Sequence, residues 1–161
     1  MLRITKILLV LAVALWGILG AYGNLTDWNG TVGAVKAVTS MSAFDGGADK
    51  WQATSNPVIV YAGALFIMLS KVTAGFLCLV GARRMWDARA GGAADFTAAK
   101  TLALTGCAVA VFMLFLGFIV IAEGWFELWQ SDAMRGPVLA SAFRYAGMIA
   151  LIAIFVGMRD D

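Results

Sequence analysis

Residues 57–82 read PVIVYAGALFIMLSKVTAGFLCLVGA, and this stretch decides the fold. It holds a single charged residue, Lys71, and exceeds the ~20 apolar residues that a helix needs to cross a bilayer core of ~30 Å. A spanning segment must be helical, because lipid offers no hydrogen-bond partner to an exposed backbone N–H or C=O group. The stretch therefore predicts a transmembrane helix.

Three more apolar stretches of about this length follow the same pattern, at residues 4–22, 101–122 and 137–158. The first also resembles a signal peptide, but its apolar run is long for one, so we expect a retained helix. The composition agrees, with 61% hydrophobic and 14% charged residues. We predict an all-α membrane protein with a single domain over residues 1–161, a four-transmembrane-helix bundle with spans 4–22, 57–82, 101–122 and 137–158. Asn56-Pro57 and Gly136-Pro137 predict starts for two of these helices.

The distribution of basic residues predicts the orientation of the bundle. Lys and Arg favour the cytoplasmic side of short loops. Seven of them fall on the side of the termini, and only Lys36, Lys50 and Arg135 fall on the other. We therefore expect a multi-pass protein of the bacterial inner membrane, with both termini cytoplasmic. The aromatic residues expected at the outer interface are Trp28, Trp51, Trp125 and Trp129.

The long outer loop, residues 23–56, carries Val32, Val35, Val38 and Met41 at three-residue spacing. This spacing predicts a short amphipathic periplasmic helix that lies on the bundle or on the bilayer surface. A packed loop with one or two helical turns is the alternative.

The residue types that are missing narrow the function. The chain has no histidine, which removes the usual haem and zinc ligands and the commonest general base. Cys78 and Cys107 lie in apolar segments without other ligands at metal-binding spacing, so we predict no metal site. The net charge of +2, clustered by loop, does not indicate nucleic acid.

Lys71 is the intramembrane charge that needs explaining. It lies fourteen residues after Pro57, or about 21 Å along a helix. Three interpretations stay open: the ammonium reaches the headgroups, it contacts a partner through an ion pair, or it lines a transport path.

Arg144 is the second such charge, about 10 Å past Pro137. Glu123 and Glu127 end the third helix at about the same depth. We predict a structural ion pair of Arg144 with Glu123, with Glu127 as the second partner. A site for an anionic headgroup or a quinone-like ligand is the alternative.

Several segments resemble a known family. The strongest is Gly117-Phe118 followed by Glu123-Gly124-Trp125-Phe126-Glu127-Leu128-Trp129-Gln130-Ser131; the others are residues 23–27, residues 38–41 with Trp51, and Phe143-Arg144. Together they resemble the bacterial predicted small integral membrane proteins grouped as domain of unknown function 2165. The resemblance implies four helices in the inner membrane and no assigned activity.

The sequence thus favours a non-catalytic accessory or assembly subunit that packs against a larger membrane complex, respiratory or photosynthetic in kind. Its partners would be the lipid bilayer and another membrane protein or a second copy of the chain. No cofactor is predicted, and a lipid or a quinone is the alternative as a bound molecule. The alternative is a small transporter or a membrane protein that binds a ligand, lipid or quinone through Lys71 and Arg144.

Overall fold

The predicted helices are present in a computed structural model, which describes residues 1–160. Four helical segments are long and apolar enough to cross a membrane: Leu2–Thr26, Pro57–Ala88, Ala93–Trp125 and Arg135–Gly157. The prediction of an all-α membrane protein with four spanning helices is confirmed. The elements are α1 (Leu2–Thr26), α2 (Trp28–Thr39), α3 (Pro57–Ala88), α4 (Ala93–Ala99), α5 (Thr101–Met113) and α6 (Ser141–Gly157).

Wide helical turns extend two of these elements. A π-helix, Leu114–Trp125, continues α5, and a shorter π-helical segment, Arg135–Ala140, leads into α6. A single 3₁₀ turn, Leu128–Gln130, lies between them. π-Helical turns are rare and are often found at functional sites.

The two proline signals differ in outcome. Helix α3 does begin at Pro57, and the Oδ1 atom of Asn56 accepts a hydrogen bond of 2.9 Å from the N–H of Val58. The fourth helical segment begins at Arg135, two residues earlier than predicted, so Pro137 lies within its first turn. Proline is tolerated there because the first N–H groups of a helix have no intrahelical acceptor.

The four spanning segments form a closed ring. Helix α1 packs against α3, α3 against α5, α5 against α6, and α6 returns to α1. We call the end that holds the chain termini the terminal end, and the end that holds residues 27–56 and 126–134 the loop end. The main buried cluster takes residues 74–85 from α3, residues 103–113 from α5 and Leu114 from the π-helix, with side chains of α1 and α6.

Glycines bring the helix backbones into direct contact. A Cβ atom on Gly17 would lie 2.8 Å from the Cα of Gly75, and one on Gly106 would lie 2.9 Å from the carbonyl oxygen of Ala74. Small residues at helix interfaces allow such close approach in membranes. These small faces are therefore used inside the chain.

A buried ion cluster closes the terminal end. Lys6 of α1 and Lys100, which precedes α5, are 0% and 1% exposed, and both contact Asp160. Nζ of Lys6 lies 2.8 Å from Oδ1 of Asp160, and both ammonium groups donate to the carbonyl oxygen of Met158. Burial raises the pKa of Asp160, but the hydrogen bonds and charges of Lys100 and Lys6 outweigh it and hold the pKa below its usual value.

Helix α2 lies alongside the first half of α3. It occupies the loop in which a short helix was expected, and it packs directly on α3, since a Cβ atom on Gly63 would lie 3.0 Å from Cγ1 of Val35. The side chain of Asp27 caps the helix by accepting a hydrogen bond of 3.0 Å from the N–H of Gly30. Helix α2 is thus held at its start and along its length.

Candidate functional site

A cavity of about 630 Å³ lies between α2, α3 and the π-helix, on the loop-end side of the buried core. This volume is within the range of about 300–1,000 Å³ that is usual for small-molecule sites. Its walls are mainly apolar and include Phe66 and Ile67 of α3, Phe118 and Phe126, and Val38 of α2. The cavity is therefore suited to an apolar molecule or to the apolar part of an amphiphile.

Lys71 supplies the positive charge in this cavity. Its Nζ atom donates a hydrogen bond of 2.8 Å to Oδ1 of Asn24, near the end of α1. Gly20 leaves room for the lysine stem, because a Cβ atom there would lie 3.2 Å from Cδ of Lys71. The side chain is half-buried and turns toward the loop end, into the chain's own cavity.

The ammonium group keeps donor capacity for a ligand. A lysine ammonium has three N–H donors, and the hydrogen bonds of residues 1–160 use one of them, toward Asn24. No carboxylate in this part of the chain forms an ion pair with Lys71. Asp27, the one acidic residue in the cavity wall, caps α2 instead.

The π-helix forms the wall opposite α3. Gly117 faces the ring of Phe66, with 3.4 Å from a built Cβ atom to Cε1, so a larger side chain would narrow the cavity. The N–H of Phe126 donates over five residues to the carbonyl oxygen of Ile121, at 2.9 Å. This wider winding brings Gly117, Ile121 and Phe126 into the same cavity wall.

The cavity reaches the surface of the bundle. Ile59 and Ala62 of α3, and Ile121 of the π-helix, line the cavity and are exposed. All three belong to segments that can span a membrane. The cavity is therefore open at the surface of these segments.

The carboxylate of Glu127, which follows the third spanning segment, has other partners than the sequence predicted. The side chain of Glu127 forms an ion pair with Lys50 and accepts a hydrogen bond of 3.1 Å from Nε2 of Gln52. Gln130 donates to the same carboxylate. Glu127 adopts a left-handed backbone conformation, with φ of 52°, at the point where the π-helix ends. It thus ties the long loop to the end of the third span.

Arg144 does not join this cluster. Its guanidinium donates to Oγ of Ser141, at 2.9 Å, and its side chain is exposed on the outside of α6. Among residues 1–160 it makes no ion pair with Glu123 or Glu127, so the predicted structural pair is wrong in this structure. Arg144 lies on the exposed face of α6, away from the interior of the bundle.

The predicted interface aromatics gather at the loop end. Trp51 and Trp125 meet edge to face, with ring centroids 5.3 Å apart, and Trp51 is 84% exposed. Trp129 is also exposed, and Trp28 begins α2. Their position fits a belt of aromatic side chains at a membrane boundary.

Sequence reasoning missed Asn24 as a cavity residue and missed the ion cluster at the terminal end. In the sequence, Asn24 stands out only within the segment that resembles a family, and Lys6 and Lys100 are two of the seven basic residues on the side of the termini. A signal was present in each case: Lys6 lies within the first apolar stretch, and Asn24 lies one helical turn past Gly20 and Ala21.

Comparison with known families identifies the chain. The sequence matches the family described as "Predicted small integral membrane protein (DUF2165)" over residues 2–159. The comparisons with curated proteins and with solved structures found no significant match. Because the match spans nearly the whole sequence, the chain belongs to the family of predicted small integral membrane proteins with domain of unknown function 2165.

Proposed function

We propose that this protein binds an amphipathic, membrane-dissolved ligand in the cavity beside Lys71. The observation that carries the proposal is the position of the Lys71 ammonium in an apolar cavity that opens between spanning helices. An ionisable residue at membrane depth is expensive, and it is commonly found where a site or pathway needs it. A lipid or a quinone combines an apolar body with a polar group that can accept a hydrogen bond from Lys71.

This proposal takes up the alternative that the sequence left open, with one change. Arg144 does not line the cavity, so Lys71 and Asn24 are the polar contacts and Arg144 has no part in ligand binding. Binding and transport share this site. A transport role would in addition need the ligand to leave through a second opening.

The experiment compares ligands that remain bound during purification. Wild-type protein is purified in a mild detergent, and its organic extract is analysed by mass spectrometry. We expect one amphiphile in near-equimolar amount. Ala62→Phe places a phenylalanine ring in the cavity, and this variant is expected to lose the bound amphiphile. The control Leu65→Phe lies on the same helix but outside the cavity, and it is expected to retain the amphiphile. Identical lipid mixtures in all three proteins would contradict the proposal.

An accessory or assembly subunit of a larger membrane complex is the second candidate. It is supported by the exposed guanidinium of Arg144 within a spanning segment, next to Phe143, which is 70% exposed. A partner helix with a carboxylate at that depth would neutralise this charge. Photo-crosslinking from position 148 of α6 in native membranes tests this: we expect one adduct of defined mass, and its loss in Arg144→Met but not in Arg135→Met. An adduct that survives Arg144→Met would argue against this surface.

We further propose that the terminal end lies in the cytoplasm of a bacterial cell and that the protein resides in the inner membrane. Arg83, Arg84, Arg89 and Arg159 support this orientation, because they are exposed at that end. Lys6 and Lys100 add less to the argument, since Asp160 neutralises part of their charge. Labelling of single cysteines at positions 45 and 90 with a membrane-impermeant thiol reagent tests it: position 45 is expected to react in intact cells and position 90 only after lysis.

A further inference from the structure

The cavity also indicates which class of amphiphile it takes. We infer that the ligand is a single-chain monocarboxylate, a molecule of the long-chain fatty-acid class, with its carboxylate at Lys71. This inference rests on the proposed function, because it specifies the ligand of the same cavity. Three observations support it: the charge balance of the cavity, its volume, and the distribution of its polar groups.

The charge balance favours a ligand with one negative charge. The cavity contains one ammonium group, and the carboxylate of Asp27 in its wall is engaged with the start of α2. The half-buried ammonium of Lys71 forms no ion pair within residues 1–160, and a monoanion beside it would supply one. A phosphate monoester with two charges would leave one of them unmatched.

The volume favours one hydrocarbon chain. At roughly 30 Å³ for each non-hydrogen atom, 630 Å³ holds about twenty such atoms. A carboxylic acid of about sixteen to eighteen carbons has this size. A diacyl phospholipid is more than twice as large, so only one of its chains would fit within this volume and the rest would extend out through the opening.

The polar groups favour a small head. Lys71 of α3 lies beside Asn24 at the end of α1, and Asp27, Thr31 and Thr39 are the other polar residues of a wall that is otherwise aliphatic or formed by phenylalanine rings. The ammonium can donate to a carboxylate while it keeps its bond to Asn24. The amide N–H groups of Asn24 have no side-chain acceptor among residues 1–160 and supply a second donor.

Photo-labelling in nanodiscs of neutral phospholipid tests the inference at the site itself. The probe is hexadecanoate with a diazirine in its chain, and labelled peptides are mapped by mass spectrometry. We expect labelling of peptides from residues 57–71 and 114–126. An excess of unlabelled hexadecanoate should reduce it at least tenfold, whereas hexadecanol, the neutral molecule of the same length, should reduce it less than twofold.

Variants link the labelling to the charge. Lys71→Met keeps the apolar stem and removes the ammonium, and we expect at least a tenfold loss of labelling, equivalent to about 1.4 kcal/mol. Lys36→Met, on the exposed side of α2 and outside the cavity, is the matched control and should label as the wild type does.

The outcomes separate the two proposals. If hexadecanol competes as well as hexadecanoate, or if decylubiquinone competes more strongly, the ligand is neutral: the carboxylate inference fails while the amphiphile-binding function stands. The same holds if Lys71→Met labels like the wild type. If neither the diazirine acid nor the matching diazirine alcohol labels the cavity, the proposed function fails as well.

Discussion

The Nζ atom of Lys71 donates a hydrogen bond of 2.8 Å to Oδ1 of Asn24, which joins the middle of α3 to the end of α1. An amide oxygen satisfies the ammonium without neutralising it. The hydrogen bond therefore holds the ammonium of Lys71 in position, and the positive charge can still attract an anionic group in the cavity. Thr31 of α2 adds a hydrogen bond of 3.3 Å to the carbonyl oxygen of Asn24, so three helices determine the position of this polar pair.

Asn24→Leu is expected to lower the free energy of unfolding by about 1.5–3 kcal/mol, the usual contribution of a hydrogen bond to a charged group. The leucine leaves the half-buried ammonium without its acceptor. The measurement is unfolding by SDS, followed by circular dichroism. Asn29→Leu is the control, because Asn29 is exposed on α2 and lies outside the cavity. Equal unfolding of the two variants would mean that the bond to Asn24 does not matter for the fold.

The contact between α1 and α3 gives a second prediction. Gly17→Ala places a methyl group 2.8 Å from the Cα of Gly75 and from the carbonyl oxygen of Lys71, and backbone atoms cannot move aside as a flexible side chain can. Overpacking of this kind costs about 1–3 kcal/mol. In Gly23→Ala the same change meets nothing within 4 Å. In SDS titrations we expect Gly17→Ala to unfold earlier than the wild type and Gly23→Ala to be unchanged or more stable. Unaltered unfolding of Gly17→Ala would mean that the helices are farther apart.

The ion cluster at the terminal end predicts a pH dependence. The folded state lowers the pKa of Asp160, so this group contributes stability above its unfolded pKa of about 3.9 and loses that contribution as the pH falls through the folded value. Asp160→Asn should lower the free energy of unfolding at pH 7 by on the order of 3 kcal/mol, because it strands two buried ammonium groups. The difference from the wild type should shrink as the pH falls below about 4.

Thermal unfolding in dodecyl maltoside between pH 3 and pH 7 measures this dependence. Asp45→Asn serves as the control, since Asp45 lies exposed in the long loop and forms no ion pair within residues 1–160. A constant gap between Asp160→Asn and the wild type across this range would contradict the assigned role of the carboxylate.

The sequence predicted the helices better than it predicted their contacts. Length and apolar content determine whether a segment can span a bilayer, and residues 57–82 satisfy both without any knowledge of neighbours. The family resemblance was also confirmed over residues 2–159. The helix prediction uses the composition of single segments, and the family resemblance uses a few short motifs, so neither needs to know which helices are in contact.

Contacts between helices depend on rotation about the helix axis, which linear depth does not give. Depth alone placed Arg144 near Glu123, whereas the winding of α6 turns Arg144 outward to Ser141. The pair of Lys6 and Asp160 joins residues at opposite ends of the chain. The cavity could not be predicted either, because it depends on how α2 packs against α3 and the π-helix.

Arg144 and Lys50 give the last prediction. The sequence assigned Arg144 as the cation that pairs with the carboxylates at the loop end, whereas in the structure Lys50 pairs with Glu127. If Arg144 bridged Glu123 and Glu127, Arg144→Met would lower the free energy of unfolding by about 3–5 kcal/mol. The structure instead shows an exposed guanidinium bonded to Ser141, and such surface substitutions usually change stability by less than about 0.5 kcal/mol. Lys50→Met removes the half-buried partner of Glu127, so we expect it to lower the free energy of unfolding by about 1 kcal/mol. SDS titration of both variants decides the matter, since a larger loss in Arg144→Met than in Lys50→Met would restore the arginine as the clamp between the third and fourth spans.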